Sequence, residues 1–212
     1  MSRGGGSFPP ETFEKLLEAE MLRSGQRLLA PRLASLSRYL AELDAWRVRI
    51  NLTGDLAPEE LAAHALESAA GAPLIPHGAR LLDIGSGGGF PGVPLSVVRP
   101  DLVVTLLEPR QKRASFLRHV IRSVPLDNAT VLCQRVERLS AAAFDAATVR
   151  AVGDLSETID SAAFLRPGGL LLAWTTEPEA LAASLKTRFA LERAQPLLPS
   201  RRRVIAVLRK AS

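Results

Sequence analysis

Residues 81–96, LLDIGSGGGFPGVPLS, join an aliphatic run to a glycine-rich segment, and this stretch decides the predicted fold. Five glycines and two prolines fall within the ten residues from Gly85 to Pro94. Glycine loses the most conformational freedom on folding and packs no side chain, so such a run needs a compensating purpose. The aliphatic residues indicate a buried strand, and a helix is predicted after the glycines. We therefore expect the backbone to come close to a ligand at this strand-to-helix turn.

From residue 80 onward the sequence alternates between short apolar strands and helices. Strands are predicted at 80–84, 102–108, 129–134, 144–149 and 170–174, with a final pair that ends in RRVIAVLR, and helices at 111–124, 155–165 and 178–187. This alternation predicts an α/β fold: a doubly wound, mostly parallel, Rossmann-like sheet. Ligands of such sheets bind beyond the carboxyl ends of the strands, where the glycine run falls.

The residues before the sheet are predicted to form an N-terminal helical cap. Two apolar stripes at helical spacing cover residues 11–47, with a break near Pro31. Pro58 followed by two glutamates is typical of the first turn of a helix, and this helix is predicted to end near Ala70. We expect a disordered lead at 1–10, the helical cap at 11–78 and the Rossmann-like core at 79–212.

Length and composition limit the classes of function. The 212 residues are 47% hydrophobic and 23% charged, as expected for a globular chain with one good-sized core. No window holds the ~18 uninterrupted apolar residues of a membrane span, and the N-terminus lacks the apolar region of a secretory signal. The single cysteine, Cys133, excludes an internal disulfide. A cytoplasmic protein without membrane association is therefore expected.

The net charge of +5 and the preference for arginine over lysine favour a polyanionic partner. A GC-rich genome that encodes arginine wherever a cation is needed explains the same balance equally well. Three groups of cations are candidate phosphate contacts: Arg47 with Arg49; Arg110, Lys112, Arg113, Arg118 and Arg122; and Arg201-Arg202-Arg203. The second group is also explained by a solvated helix face.

Two further features favour an adenosine cofactor. Glu108 ends the second strand, 23 residues after Gly85, where a carboxylate can accept two hydrogen bonds from a ribose diol. The loop Arg135-Val136-Glu137-Arg138 follows the third strand and lies over the adenine in this topology, although by itself it is an ordinary charged loop. The glycine spacing is GxGxG, with Phe90 in place of the third glycine of GxGxxG. Adenosine cofactors in general, NAD included, remain open at this point.

The sequence is similar to a known family of enzymes. Asp83–Gly89, Glu108 and Arg166-Pro167-Gly168-Gly169 together resemble class I S-adenosylmethionine-dependent methyltransferases. The chain resembles more narrowly the bacterial small-subunit ribosomal RNA methyltransferase G family, also called glucose-inhibited division protein B. That resemblance rests on Asn51-Leu52-Thr53, His64 with Ser68, the run DIGSGGGFPGVPL (83–95), Lys112-Arg113 with Phe116-Leu117, Arg135-Val136-Glu137, and Phe144-Asp145 through Arg150-Ala151.

The resemblance implies S-adenosyl-L-methionine as cofactor, with S-adenosyl-L-homocysteine as product. It implies methyl transfer to N7 of one guanine in 16S rRNA of the small ribosomal subunit, by an enzyme that we expect to be a monomer. The cofactor-binding residues that it implies are Gly85, Gly87, Gly89, Phe90, Glu108, Val136, Glu137 and Arg150.

The same resemblance gives two residues a role in catalysis. Arg150, at the end of the fourth strand, would position the reacting centre, and Asn51 would line the target pocket with Thr53 unless both only form a turn. Because guanine N7 carries a lone pair and no proton, we expect alignment of the reactants and no general base. No metal is expected, since Cys133 and the three histidines show no ligand spacing. His64 is predicted to be a packed histidine bonded to nearby backbone.

The sequence departs from the family pattern in three places. Ala63 stands where an arginine usually precedes the histidine, Glu67 stands where an aspartate is usual, and Trp174-Thr175-Thr176 replaces a lysine after the fifth strand. The lost positive charge keeps open the alternative of a methyltransferase that acts on a small molecule or a protein. Asp83, the GxGxG spacing and the lack of a Tyr-x-x-x-Lys pair disfavour an NAD-dependent oxidoreductase. The intact glycines and Glu108 disfavour a binding module without activity.

Overall fold

The computed structural model describes residues 7–139, 141–150, 159, 163–185, 188–199 and 202–211. The strands are β1 (Arg80–Ile84), β2 (Val103–Leu107), β3 (Ala129–Leu132), β4 (Phe144–Arg150), β5 (Leu165–Thr175), β6 (Phe189–Pro196) and β7 (Val204–Lys210). The α-helices are α1 (Pro10–Ser24), α2 (Ala30–Arg47), α3 (Pro58–Ala69), α4 (Gly92–Val98), α5 (Gln111–Ser123) and α6 (Pro178–Ser184). Short 3₁₀ turns lie at Ala72–Leu74 and Val136–Arg138.

One seven-stranded sheet runs in the order β3-β2-β1-β4-β5-β7-β6. The first five strands pair in parallel, and β7 pairs antiparallel with both β5 and β6. The strand order reverses between β1 and β4, which is the switch point where open α/β sheets bind ligands. The predicted doubly wound, mostly parallel sheet is confirmed, and the glycine turn after β1 opens at the switch point.

Both faces of the sheet are covered by apolar side chains, as a parallel sheet requires. One face joins the three N-terminal helices in a single core, to which Leu36 and Leu61 contribute from the helices and Leu81 and Leu106 from the strands. The other face packs a separate core around Leu171. The N-terminal helices therefore share their hydrophobic core with the sheet, and this packing holds α2 and α3 against the glycine turn.

Local signals set the limits of the helices. α1 ends at Gly25, whose φ of 71° is in the left-handed region that glycine favours, and α2 begins at Ala30 with Pro31 in its first turn. The break between the two helices therefore precedes Pro31, which lies in the first turn of the second helix and does not separate the two. α3 begins at Pro58 as predicted, and the Glu60 carboxylate accepts the Ala57 N–H at 2.6 Å.

The predicted strands match the structure to within two residues where both ends are described, apart from the fifth. β5 begins at Leu165, ahead of the predicted 170–174, because Leu165 already pairs with Phe144 before an irregularity in the register. The helix predicted at 155–165 falls mostly on residues outside the described ranges. α6 is shorter than the predicted 178–187 and ends at Ser184. In the described part of the chain, no helix combines the length and apolar character needed to cross a membrane.

Candidate functional site

The turn after β1 is built from glycines in left-handed backbone. φ is 69° at Gly85, 52° at Gly87 and 104° at Gly89, values that residues with side chains rarely adopt. A Cβ at Gly87 would have no neighbour closer than 3.6 Å, so there is room above this residue. A Cβ at Gly89 would lie 2.9 Å from both Tyr39 Oη and Val93 Cγ2. Gly89 thus makes room for protein side chains, whereas Gly87 leaves space that a ligand can use.

Asp83 anchors this turn from the last part of β1. Its Oδ1 accepts the Thr148 hydroxyl at 2.8 Å, and its Oδ2 accepts the Gly92 N–H at 3.2 Å. The side chain is fully buried, and burial raises the pKa of Asp83 to about 6 against the opposing effect of these hydrogen bonds. The carboxyl group therefore ties β1 to β4 and to the first residue of α4.

Glu108 lies directly against the glycine turn, as the spacing predicts. Its Oε2 accepts the Gly87 N–H at 3.0 Å, and its Oε1 accepts the Arg110 N–H at 2.8 Å. The residue is buried, and each carboxylate oxygen keeps a second lone pair for another donor. Val136 is buried and Glu137 is exposed in the 3₁₀ turn that follows β3, the strand next to β2. These residues share the carboxyl edge of the sheet with the glycine turn.

A cavity of about 200 Å³ adjoins the glycine turn. It brings together Gly87, Phe90 and Arg150 of the predicted site with Thr53, His64 and Arg113. Asn51 does not line it: the Asn51 Oδ1 accepts the Gly54 N–H at 3.0 Å, which is the turn-forming role. Arg113 reaches across from α5 and donates to the Asn51 carbonyl at 2.8 Å.

Phe90 sits at the centre of an aromatic and cationic cluster beside the cavity. The rings of Tyr39 and His64 meet its ring in T-shaped arrangements at centroid distances of 5.6 and 5.9 Å. The Arg150 guanidinium lies 5.9 Å from the ring centroid, within the range of a cation–π contact. Tyr39 also donates its hydroxyl proton to the Gly88 carbonyl at 2.7 Å. The helix α2 thus holds the glycine turn through a fully buried tyrosine.

Arg150, at the end of β4, is held by residues of α3. Its Nη2 contacts Glu67 Oε2 at 3.0 Å, and its Nη1 donates to the His64 carbonyl at 3.3 Å and the Ser68 hydroxyl at 3.4 Å. Burial lowers the pKa of Arg150, and the Glu67 carboxylate opposes that change. A guanidinium remains charged under all ordinary conditions. The structure therefore fixes a positive charge over Phe90.

His64 is half-buried, and its ring faces the cavity. Burial first, and then the charges of Arg150 and Arg203, lower the pKa of His64 to about 3. The ring Nε2 lies 3.3 Å from Arg203 Nη1, so the described contact of the ring is to a side chain and not to the backbone group that we expected. A neutral imidazole is the form that accepts from a guanidinium. Sequence analysis missed this partner, Arg203, because it lies 139 positions away.

Two of the predicted phosphate contacts have other partners in the structure. Arg47 pairs with Asp44 at 2.6 Å, also donates to the Leu56 carbonyl, and its side chain is only 5% exposed. The prediction of a phosphate contact at Arg47 is therefore wrong, whereas Arg49 beside it is exposed. In the α5 group, Arg113 turns towards the cavity, while Arg110, Lys112 and Arg122 are exposed to solvent.

Within the described ranges, no group of three or more histidine, cysteine, aspartate or glutamate side chains comes close enough to hold a metal ion. Cys133 is partly exposed after β3, and its thiol lies 3.0 Å from Gln111 Oε1. The predicted absence of a metal requirement stays a prediction.

The sheet order, the glycine turn and the buried glutamate at the end of β2 define a class I S-adenosylmethionine-dependent methyltransferase. A SAM-dependent methyltransferase from Aquifex aeolicus has a similar structure over 97% of this chain and 100% of its own, with a TM-score of 0.55 at 14% identity. P. horikoshii TYW2, solved in complex with MeSAdo, aligns over 70% of this chain and 63% of its own, with a TM-score of 0.59 at 16% identity. At these identities the likeness shows the fold.

The family is shown by sequence. The family model for rRNA small subunit methyltransferase G (GidB) matches residues 32–198. Ribosomal RNA small subunit methyltransferase G of Sorangium cellulosum is 46% identical over an alignment of 173 residues. The alignment covers 77% of this chain and 71% of that protein. The protein of the same name from Xanthomonas campestris is 40% identical over 170 residues, or 79% and 78% of the two chains. This chain belongs to the rRNA small subunit methyltransferase G family, and it is an S-adenosylmethionine-dependent rRNA methyltransferase.

Proposed function

We propose that this protein transfers a methyl group from S-adenosyl-L-methionine to N7 of one guanine in 16S rRNA of the small ribosomal subunit. The relatives named above are ribosomal RNA small subunit methyltransferases. The choice of guanine N7 as the methylated atom rests on the chemistry of the cavity wall. Among the residues that the structure describes, the ionisable side chains that line it are Arg113, Arg150 and His64, and none of the three is a useful base near neutral pH.

A site of this kind suits a nucleophile that needs no deprotonation. Guanine N7 is a hydrogen-bond acceptor that carries a lone pair and no proton in the neutral base, whereas an amino or hydroxyl group must lose a proton when it is methylated. The pKa of His64, lowered to about 3, leaves the imidazole too weak a base to remove a proton efficiently at neutral pH. The work left to the described residues is to align the reactants and exclude water.

The residues at the glycine turn fit the cofactor. The open space at Gly87 leaves room for a ligand against the backbone, and the spare lone pairs of the Glu108 carboxylate suit the two hydroxyl groups of a ribose. We propose that Gly85, Gly87 and Gly89 form the turn that receives the cofactor, and that Glu108 binds its ribose. Val136 and Glu137 would flank the adenine. S-adenosyl-L-methionine supplies an activated methyl group on a sulfonium centre.

Phe90 and Arg150 are proposed to position the reacting groups. The Phe90 ring and the Arg150 guanidinium meet at 5.9 Å on the cavity wall, next to Gly87. An aromatic face and a fixed cation favour an electron-rich, planar base over an aliphatic acceptor. Asn51 contributes by fixing the turn that carries Thr53 to the cavity wall.

The wider setting belongs to the same proposal. We propose that the protein acts in the cytoplasm as a monomer on the small subunit or a precursor of it. The net charge of +5 and the single cysteine support a reducing compartment and a polyanionic substrate. The division into a lead, a helical cap and a core that begins near residue 79 also remains a proposal, and sedimentation velocity measures the oligomeric state directly.

Methyl transfer to defined acceptors tests the proposal. Purified protein is incubated with methyl-labelled S-adenosylmethionine and one of three acceptors: small ribosomal subunits, naked 16S rRNA, or a panel of small molecules and proteins. We expect incorporation into rRNA, in subunits or as naked RNA, at one guanine that becomes cleavable by chemistry specific for N7-methylated guanine. Incorporation only into small molecules or proteins would establish the alternative substrate class and overturn the proposal.

A further inference from the structure

Arg203 lies at the functional edge of the sheet because of the topology. β7 is antiparallel to β5, so β7 begins at the edge where the parallel strands end. Val204, the first residue of β7, pairs with Thr175 at the end of β5, and Arg203 directly precedes it. The arginine is therefore carried to the edge that also bears the glycine turn and Arg150. Of the predicted cluster 201–203, Arg201 lies outside the described residues and Arg202 is exposed.

The contacts of Arg203 connect it to the cavity wall. Its Nη2 lies 2.9 Å from Glu67 Oε1, and its Nη1 lies 3.3 Å from the His64 ring. Glu67 Oε2 contacts Arg150, so one carboxylate holds both guanidinium groups, one on each oxygen. Trp174 fixes the backbone of Glu67, because its indole N–H donates to the Glu67 carbonyl at 2.9 Å. His64 and Arg150 line the cavity, and Arg203 contacts His64 directly and Arg150 through the shared Glu67 carboxylate.

The charges in this group do not balance. Two arginines face one glutamate, and His64 is uncharged near neutral pH because its pKa is lowered to about 3. Among the described residues of this group, one positive charge is therefore left over. The Arg150 side chain is 12% exposed and the Arg203 side chain is 40% exposed, so the surplus charge reaches solvent through Arg203. A guanidinium has five N–H donors in a fork that matches the oxygens of a phosphate.

We propose that Arg203 binds a backbone phosphate of the RNA substrate beside the methyl-transfer cavity, and that Glu67 orients it for this contact while holding Arg150 over Phe90. The inference rests on the proposed rRNA substrate and adds a substrate-binding residue to it. The proposal also bears on the end of β5, where Trp174, Thr175 and Thr176 carry no positive charge. At this edge of the sheet the positive charge is supplied by Arg203, which directly precedes β7, the antiparallel neighbour of β5.

Steady-state kinetics and salt-dependent RNA binding test this role. Arg203→Ala is compared with the wild type in methyl transfer to the rRNA acceptor, in RNA affinity over a range of salt concentrations, and in S-adenosylmethionine affinity by calorimetry. We expect KM for RNA to rise about tenfold, with cofactor affinity within about twofold of wild type. The slope of log affinity against log salt should become shallower by about one unit, as for the loss of one phosphate contact.

Two further variants separate a phosphate contact from a structural contact. Arg203→Gln keeps a side-chain donor for Glu67 but removes the charge, so it should show the same raised KM and shallower salt slope. It also supplies the measurement if Arg203→Ala unfolds. Arg209→Ala is the matched control, because Arg209 lies near the other end of β7, at the opposite edge of the sheet, and pairs with Glu192. It should leave KM and the salt slope unchanged.

The outcomes are distinct. If the Arg203 variants match Arg209→Ala in KM and salt slope while the wild type methylates rRNA, the inference is wrong and the proposed function stands. A fall in kcat alone, with KM and slope unchanged, would assign Arg203 a purely structural role through Glu67 and also overturns the inference. If the wild type binds S-adenosylmethionine but methylates no rRNA, the proposed function fails and the inference falls with it.

Discussion

At the scale of single residues, three buried carboxyl groups organise the site. Asp83, Glu108 and Glu67 are each less than 10% exposed, and each has its oxygens bound to donors from different parts of the chain. Buried carboxylates are stable only when donors or cations compensate the loss of water. Glu108 was predicted as part of the site because it follows the second strand at the expected spacing, whereas Asp83 was noted only as part of the motif that carries the family resemblance. Glu67 was noted only as a departure, since its partners depend on the tertiary fold.

Glu108→Ala should weaken cofactor binding by about 1–3 kcal/mol, because the ribose would lose its charged acceptor. The same change frees the Gly87 and Arg110 N–H groups, so a moderate loss of thermal stability is also expected. Calorimetric titration with S-adenosylmethionine measures the affinity. Glu108→Gln is the control that keeps an acceptor and should lose less. An unchanged affinity in Glu108→Ala would remove Glu108 from the proposed cofactor site.

Gly87→Val should abolish or severely reduce cofactor binding, because a side chain would fill the open space above the turn. The left-handed backbone adds a strain of about 1–2 kcal/mol for a residue with a Cβ. Gly25→Val controls for that strain, since Gly25 also has a positive φ with open space around it, but lies at the end of α1. Both variants should lose similar stability, and only Gly87→Val should lose binding. Equal binding by the two variants would contradict the assignment.

Asp83 should give the protein a component of stability that is lost as pH rises. Its folded-state pKa of about 6 lies above the ordinary 3.8, so the folded protein keeps a proton that the unfolded chain releases between about pH 4 and pH 6. Stability from this group therefore falls through that window, by up to about 3 kcal/mol. Urea unfolding at about pH 5 and about pH 8, compared with Asp83→Asn, captures about half of this change, roughly 1.4 kcal/mol, because part of it is already lost below pH 5. Parallel behaviour of the two proteins at both pH values would show that Asp83 is not the source.

At the scale of secondary-structure elements, the N-terminal helices act as supports for the glycine turn. α2 reaches the turn through Tyr39, and α3 holds the end of β4 through Glu67 and Arg150. Because these helices share a hydrophobic core with the sheet, a disturbance of either helix should be transmitted to the cofactor site. The turn is therefore positioned by packing as well as by its own glycines.

Tyr39→Phe tests this support. The variant leaves the buried Gly88 carbonyl without its hydroxyl donor, which should cost about 1–2 kcal/mol of folding stability. Cofactor affinity should also fall, because the turn is held less firmly. Ser35→Ala is a control on the same helix, where an exposed hydroxyl bonds to the Pro31 carbonyl, and it should change neither quantity. If Tyr39→Phe changes stability but not cofactor affinity, α2 supports the fold without positioning the turn.

Most elements were predictable because their signals are local. The apolar run at 80–84, Pro58 at the start of α3 and the glycines after β1 each act through neighbouring residues. The pairing of Glu67 with Arg203 has no such signal, since it joins a helix before the sheet to a strand at its end. The early start of β5 was missed for the same reason. Neither segment alone indicates that Leu165 pairs with Phe144.

At the scale of the whole molecule, the arginines that make up the excess of positive charge lie in different environments and therefore have different roles. Sequence alone allowed Arg47, Arg113 and Arg203 to be equivalent surface cations. The structure gives them three environments: a buried ion pair with Asp44, the cavity wall, and a half-exposed contact with Glu67. Of these partners, only Asp44 could be inferred from the local sequence, because it lies three positions before Arg47 on the same helix. Net charge therefore indicates the class of partner but not the contact residues.

The proposed reaction of the whole molecule is methylation of N7 of one guanine in 16S rRNA, in the cavity beside the glycine turn. Mass-spectrometric mapping of 16S rRNA from cells that have or lack the gene tests it most directly, with the wild-type gene and the Gly87→Val gene each restored to the deleted strain. We expect one N7-methylguanine that disappears on deletion, returns with the wild-type gene and does not return with Gly87→Val. Identical methylation maps in all four strains would contradict it.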